Sequence, residues 1–256
     1  MLMNELQKCV KEIGGECAFV IKNLNTDISY SYNENNIVPS ASLIKIMVMI
    51  EVMTQVKEGK LSLNMRLSIK ENEKVPYSVL EFLDCGNTYT LLDLVKLMII
   101  YSDNTAANML MDLVGMENVN NCIKGLGLKK TNLKRKMMDL KAREEGREND
   151  TTAGEMADIM MRLYKGEIVN KQYSTLILDI MRGQGDESMM RVDLPDDIEI
   201  ARKSGELENL DHEMAIVYGD NCNYLYIFFA WGTETNNDAR KILQKTSKIV
   251  YDYFQI

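Results

Sequence analysis

The 256-residue sequence contains one histidine, one tryptophan and five cysteines, and no two cysteines stand at C-x-x-C spacing. The lone His212, with no second histidine and no cysteine cluster, excludes the usual ways of building a zinc or iron centre, and no cofactor is expected. An odd number of thiols cannot all pair within one chain. Cys9, Cys17, Cys85, Cys122 and Cys222 therefore read as free thiols of a reducing compartment. Positive charge is also scarce: 30 Lys and Arg against 38 Asp and Glu leave a formal net charge of -8. Such a balance disfavours a phosphate-binding surface, so nucleic acid is not an expected partner. The first fifteen residues, MLMNELQKCVKEIGG, lack the apolar core of a secretion signal, and no membrane anchor is apparent. As it stands the sequence reads as cytoplasmic, and a removed leader would make it secreted or periplasmic. No repeat or low-complexity tract is present.

What is present divides into edge, middle and edge. Residues 2–13 read as an amphipathic helix ended by Gly14-Gly15, and CAFVIKNL and DISYSYN as two strands. The middle reads as helices over 42–58, 90–114, 117–125, 152–165 and 171–182, with Thr152 and Glu155 forming a capping box. Three further strands follow, IEIARKSG, HEMAIVYG and NYLYIFFAWG, then a closing amphipathic helix over 236–254. The pattern predicts an α+β sandwich: an antiparallel sheet covered by the first and last helices, with an all-helical lobe inserted. Residues 1–40 and 190–256 would form the α/β lobe and 41–189 the helical lobe, together one unit with a cleft between them. Trp231 and the methionines at positions 47, 49, 53, 137, 138, 160 and 161 read as core filling.

The stretch SASLIKIMVMIEV, residues 40–52, is apolar on every face of a helix yet carries Lys45. A buried ammonium must find partners or lose its proton, and desolvation lowers its pKa. Ser42 stands one turn back on the same face. The spacing S-x-x-K alone arises by chance about once in a chain of this size. Two further stretches change its weight. YSDNTAANML sets Ser102, Asp103 and Asn104 inside a helical region where short polar residues mark a cap or a break. ARKSGEL sets Lys203, Ser204 and Gly205 at the end of a strand, where glycine permits close approach.

S-x-x-K, S-D-N and K-S-G in this order resemble the class A β-lactamase family, and the resemblance extends to LSLNMRLSI, YTLLDLVKLMIIYSDNTAANML and the last three strands with their helix. It implies a β-lactamase/transpeptidase-like fold and a serine hydrolase that forms an acyl-enzyme on Ser42, acting as a monomer on a small anionic substrate. Lys45 would take the Ser42 proton, Ser102 would pass one to the leaving nitrogen, and Asn104 would orient Lys45 and the substrate. Lys203 would attract the anion and Ser204 would bind its carboxylate. The backbone N–H groups of Ser42 and Glu206 would make the oxyanion hole beside Gly205. Asp103 would be structural. His212 falls near a position where the family places a carboxylate-binding arginine, and it is assigned to substrate binding on that ground. These residues are expected to meet in one cleft.

The sequence departs from the family in the Ω-loop, TNLKRKMMDLKAREEGRENDTT. Arg135 and Asp150 match the ion pair that closes that loop, but the slot of the glutamate that activates the deacylating water holds Met137. Asp139, Glu144, Glu145 and Glu148 replace it only if the loop takes another path. The alternatives are a D-alanyl-D-alanine peptidase or small esterase of the same fold, and a ligand-binding module without catalysis.

Overall fold

A computed structural model describes residues 2–12 and 14–255. The first helix, α1 (Leu2–Lys11), turns Leu2, Leu6 and Cys9 inward; the expected helix end at residue 13 lies outside the described residues. Strand β1 (Glu16–Asn23) follows, buried on both sides over Cys17–Ile21, then β2 (Ser29–Tyr32) and the two-residue β3 (Val38–Pro39). A 3-10 turn over Ala41–Ile44 leads into α2 (Lys45–Lys57). Every side chain from Lys45 to Met53 in α2 is buried, as an all-round apolar stripe requires.

The short β4 (Arg66–Ser68) and β5 (Thr88–Thr90) pair with each other and precede α3 (Leu91–Ile100). The helix expected over 90–114 is two helices. It breaks at Tyr101–Asp103, where Ser102 has φ +53°, and resumes as α4 (Asn104–Val114). Asp103 causes the restart: one oxygen caps Ala106 N at 2.8 Å and the other accepts from Leu80 N at 2.9 Å. After α5 (Met116–Gly125) come the short α6 (Leu140–Glu144), β6 (Asp150–Thr151) beside β3, α7 (Ala153–Tyr164) and α8 (Lys171–Arg182). The capping box on α7 is half made. Thr152 caps Glu155 N at 3.1 Å, but the Glu155 carboxylate turns away to the amides of Lys129, Lys130 and Thr131, because three N–H groups outweigh the single one at the cap.

The chain then enters β7 (Glu199–Leu207), β8 (Leu210–Tyr218) and β9 (Asn223–Trp231), and ends on α9 (Asn236–Gln255). The sheet is antiparallel in the order β2-β1-β9-β8-β7, so the last strand takes the centre and the first lies beside it, inside the edge. Helices α1 and α9 cover one face over a core containing Phe19, Tyr226, Phe228 and Leu243. α7 and the remaining helices cover the other, with α2 at the centre of the larger core. This is the predicted α+β sandwich. All five cysteines are free. Among the described residues no helix is long and apolar enough to cross a membrane.

Candidate active site

Ser42, Ser102, Asn104 and Ser204 line one cleft of about 670 Å³, which also touches Met137 and Glu206. Ser42 sits on the 3-10 turn, directly after its first residue Ala41, which has φ +47°. Strand β7 runs directly past it. A Cβ built on Gly205 would lie 3.2 Å from both Ser42 N and Ala41 Cβ and 3.3 Å from Leu43 Cγ, so glycine is what lets this strand approach the turn.

Lys45 is fully buried at the first position of α2. Its ammonium donates to the Ser102 carbonyl at 2.5 Å, the Ser102 hydroxyl at 3.1 Å and Asn104 Oδ1 at 2.8 Å. Those acceptors use all three protons, so none is directed at Ser42. Burial first, and then repulsion from Lys203, hold the Lys45 pKa well below the ordinary 10.5, against a smaller opposing pull from Asp103. Lys203, also fully buried, donates to the same Ser102 hydroxyl at 3.1 Å and to the Ser204 carbonyl at 2.7 Å. Burial lowers it to about 8, with Glu213 and Asp186 pulling the other way. The Ser102 hydroxyl thus lies between two ammonium groups, and when both are charged its two lone pairs are occupied and its own proton is free to point into the cleft. Asn104 Nδ2 anchors the Pro76 carbonyl at 3.0 Å, which fixes the segment carrying the exposed Tyr77 at the cleft mouth.

The Ω-loop differs from the expected pairing. Arg135 pairs with Glu148 at 2.7 Å, while Asp150 is held by Lys134 at 2.7 Å. The reason is the short bridge between Asn132 and Asp150, which ties that carboxylate's strand to the near end of the loop and leaves Glu148 as the buried guanidinium's neighbour. Met137 lies on the cleft wall, its main chain clamped by Asn108 through Nδ2 to the Met137 carbonyl (3.0 Å) and from the Met137 amide to Oδ1 (2.8 Å). Three of the four other candidate carboxylates are engaged elsewhere, and Glu144 is exposed on α6. Asp139 caps Ala142 N at 2.9 Å, Glu148 also meets Arg143 at 3.3 Å, and Glu145 pairs with Arg147 at 2.5 Å.

His212 is not a ligand group. It is fully buried on β8 opposite Gly205, stacked on Phe229 at 4.3 Å, with Nε2 3.0 Å from the Pro39 carbonyl. Burial lowers its pKa to about 4, so it is neutral and sits beneath the strand. Glu206 is exposed and its side chain meets Arg240 at 2.6 Å, leaving only its backbone for the role expected of it. Sequence reasoning missed Gln184 and Asp186, which line the cleft beside Ser204. They lie in GQGDES between a helix and a strand, a stretch that reads only as a turn.

Comparison with known proteins fits this geometry. The family model described as "Beta-lactamase enzyme family" matches residues 1–254. The chain belongs to the beta-lactamase enzyme family. It is thus a serine hydrolase of the β-lactamase type. A beta-lactamase of Rhodobacter capsulatus is 25% identical over 219 residues, 84% of this chain and 75% of its own. The Escherichia coli beta-lactamase CTX-M-97 is 26% identical over 257 residues, 97% of this chain and 88% of its own. Among solved structures, the beta-lactamase from Sphaerobacter thermophilus superposes with a TM-score of 0.91 at 25% identity, covering 99% of this chain and 96% of that one. A PBP-A variant captured as an acyl-enzyme with penicillin G shares the fold, with a TM-score of 0.89 at 24% identity over 99% of this chain and 97% of that one.

Proposed function

We propose that Ser42 is acylated by a β-lactam or a related amide, and that the resulting ester is hydrolysed slowly. In acylation Lys45, in its neutral form, takes the Ser42 proton as Oγ bonds to the carbonyl carbon. The C–N bond then breaks and the nitrogen takes the Ser102 proton, which Lys45 replaces through their hydrogen bond, returning Lys45 to its starting state. The amides of Ser42 and Glu206 hold the oxyanion, and Ser204 with Lys203 receives the substrate's carboxylate. The observation that carries this reading is the Ser102 hydroxyl bonded to two buried lysines whose pKa values are both depressed. A purely structural site has no use for two desolvated ammonium groups sharing one hydroxyl.

Slow hydrolysis is supported by Met137, since a thioether cannot take a proton from water at neutral pH. General-base help is worth roughly 10²- to 10⁴-fold, so its loss slows deacylation while sparing acylation. The same slot supports a second reading, a D-alanyl-D-alanine peptidase or esterase, in which the acyl group passes to an acceptor other than water. The state captured in the PBP-A variant, an acyl-enzyme with penicillin G, is the one expected to accumulate here. Intact-protein mass after mixing with benzylpenicillin tests the proposal. An adduct that decays over minutes or longer is expected. Rapid turnover with no adduct refutes slow deacylation, and no adduct under any condition leaves a binding module.

A further inference from the structure

The expected carboxylate receptor, Ser204, is already engaged. The Gln184 amide turns its NH₂ to the carbonyls of Ile100 (2.5 Å) and Ile99 (2.9 Å), so its oxygen accepts the Ser204 hydroxyl at 2.9 Å and the Ser204 amide at 3.3 Å. On the other side stands Asp186. Burial pushes its pKa up, but the hydrogen bonds from the Ser188 amide and hydroxyl and, more weakly, the charge of Arg202 outweigh it and hold the carboxyl below its ordinary value. A hydroxyl has one proton, and a substrate carboxylate must compete for it with Gln184, while the Asp186 carboxylate lines the same cleft.

The surrounding charges do not relieve this competition. Arg202 is buried and directed at Glu213, 3.6 Å away, and Lys203 has given two of its donors to Ser102 and Ser204. Asp186 and, to the extent it is ionised, Glu213 offset the charges of Arg202 and Lys203, so less positive charge remains for a substrate carboxylate arriving at Ser204. His212, buried and neutral, contributes no cation.

We infer that Asp186 is a specificity-determining residue that weakens recognition of substrates with a fixed carboxylate beside the scissile amide, favouring those whose corresponding group is uncharged. This rests on the proposed role of Ser204 in the acylation of Ser42. Charge repulsion at a half-buried contact of this kind shifts the relative rates by about five- to twentyfold.

The test compares second-order acylation of the full chain by benzylpenicillin and by its uncharged methyl ester, read by intact mass. In Asp186→Asn the ratio of the anionic to the neutral rate should rise about five- to twentyfold. Asparagine retains the acceptor that Ser188 uses through N at 2.9 Å and Oγ at 2.7 Å, so the loop is preserved. Asp186→Ser serves as a second neutral variant, with thermal unfolding as the check on folding. An unchanged ratio in a folded variant overturns the inference. Acylation by neither compound in the parent protein refutes the acyl-enzyme reading and the inference with it.

Discussion

Replacing His212 with phenylalanine should remove a defined piece of acid sensitivity. The imidazole is fully buried, its Nδ1 has no partner, and no charged group contributes to its low pKa. In the unfolded chain it protonates near 6.5, while in the fold it resists protonation down to about 4. Below 6.5 the unfolded state therefore binds the proton first, and stability falls as pH falls through this window. The gap between 6.5 and about 4, at about 1.4 kcal/mol per pH unit, gives a loss of about 3 kcal/mol once the lower limit is passed. At neutral pH the substitution should be close to balanced, because it gives up the 3.0 Å contact with the Pro39 carbonyl but also removes the unpartnered Nδ1. Phenylalanine retains the stack on Phe229. Glu213 and Asp211, raised by burial to about 7 and about 6, titrate nearby with the opposite sign, which is why the difference between the two proteins is the quantity to measure. Urea unfolding of both at about pH 7.5 and about pH 4.5 should show the variant gaining about 2 to 3 kcal/mol on the parent between the two conditions. Equal slopes with pH would mean that His212 is solvated or paired, and the buried neutral assignment would be wrong.

Lys45→Ala should lower the acylation rate by on the order of 10²-fold or more, and an unchanged rate in the folded variant would move the base role elsewhere. Met137→Glu should shorten the lifetime of the penicillin adduct, measured by mass after removing free drug; no change would mean that a carboxylate at this position does not reach the ester. Arg135→Ala should destabilise the protein by about 1 to 3 kcal/mol in urea unfolding, because it removes a buried guanidinium and leaves Glu148 with only the longer Arg143 pair and the Asn149 amide, whereas Asp150→Asn, which loosens only a half-exposed lysine pair, should cost less than about 1 kcal/mol.

The periodic elements were legible because burial imposed them. The strand NYLYIFFAW and the helix beginning at Lys45 are apolar on every face, and only a two-sided covering satisfies such runs. Ser42, Lys45, Ser102, Asn104 and Lys203 could be named because S-x-x-K, S-D-N and K-S-G in this order resemble the class A β-lactamase motifs; a lysine in an apolar helix and short polar residues inside a helical stretch only drew attention to them. The choice of partners was not legible. Arg135 was assigned to Asp150 on the family pattern, and the bridge between Asn132 and Asp150, which leaves Glu148 as its partner, could not be read from the sequence. His212 could be placed near the site by position, but whether it faced the cleft or the Phe229 ring depended on packing against β9. Gln184 and Asp186 carry no local signal, since turn residues reveal chemistry only when the fold brings them to a neighbour.

The sheet order has a consequence for how the site comes into being. Ser42, Lys45, Ser102 and Asn104 lie within one stretch of chain, but Lys203 and Gly205 arrive on β7, which is attached to β8, which is attached to β9, which pairs in turn with β1. Residues such as Phe19 and Phe228 meet across more than two hundred positions of sequence. Closing so long a loop carries an entropic cost before any strand contact offsets it, so this pairing is expected to form late. During synthesis the proposed nucleophile Ser42 and Lys45 emerge long before the wall that completes their cleft. Covalent labelling of Ser42 would consequently time the joining of the two chain ends, making the chemical step a clock for the slowest event in folding.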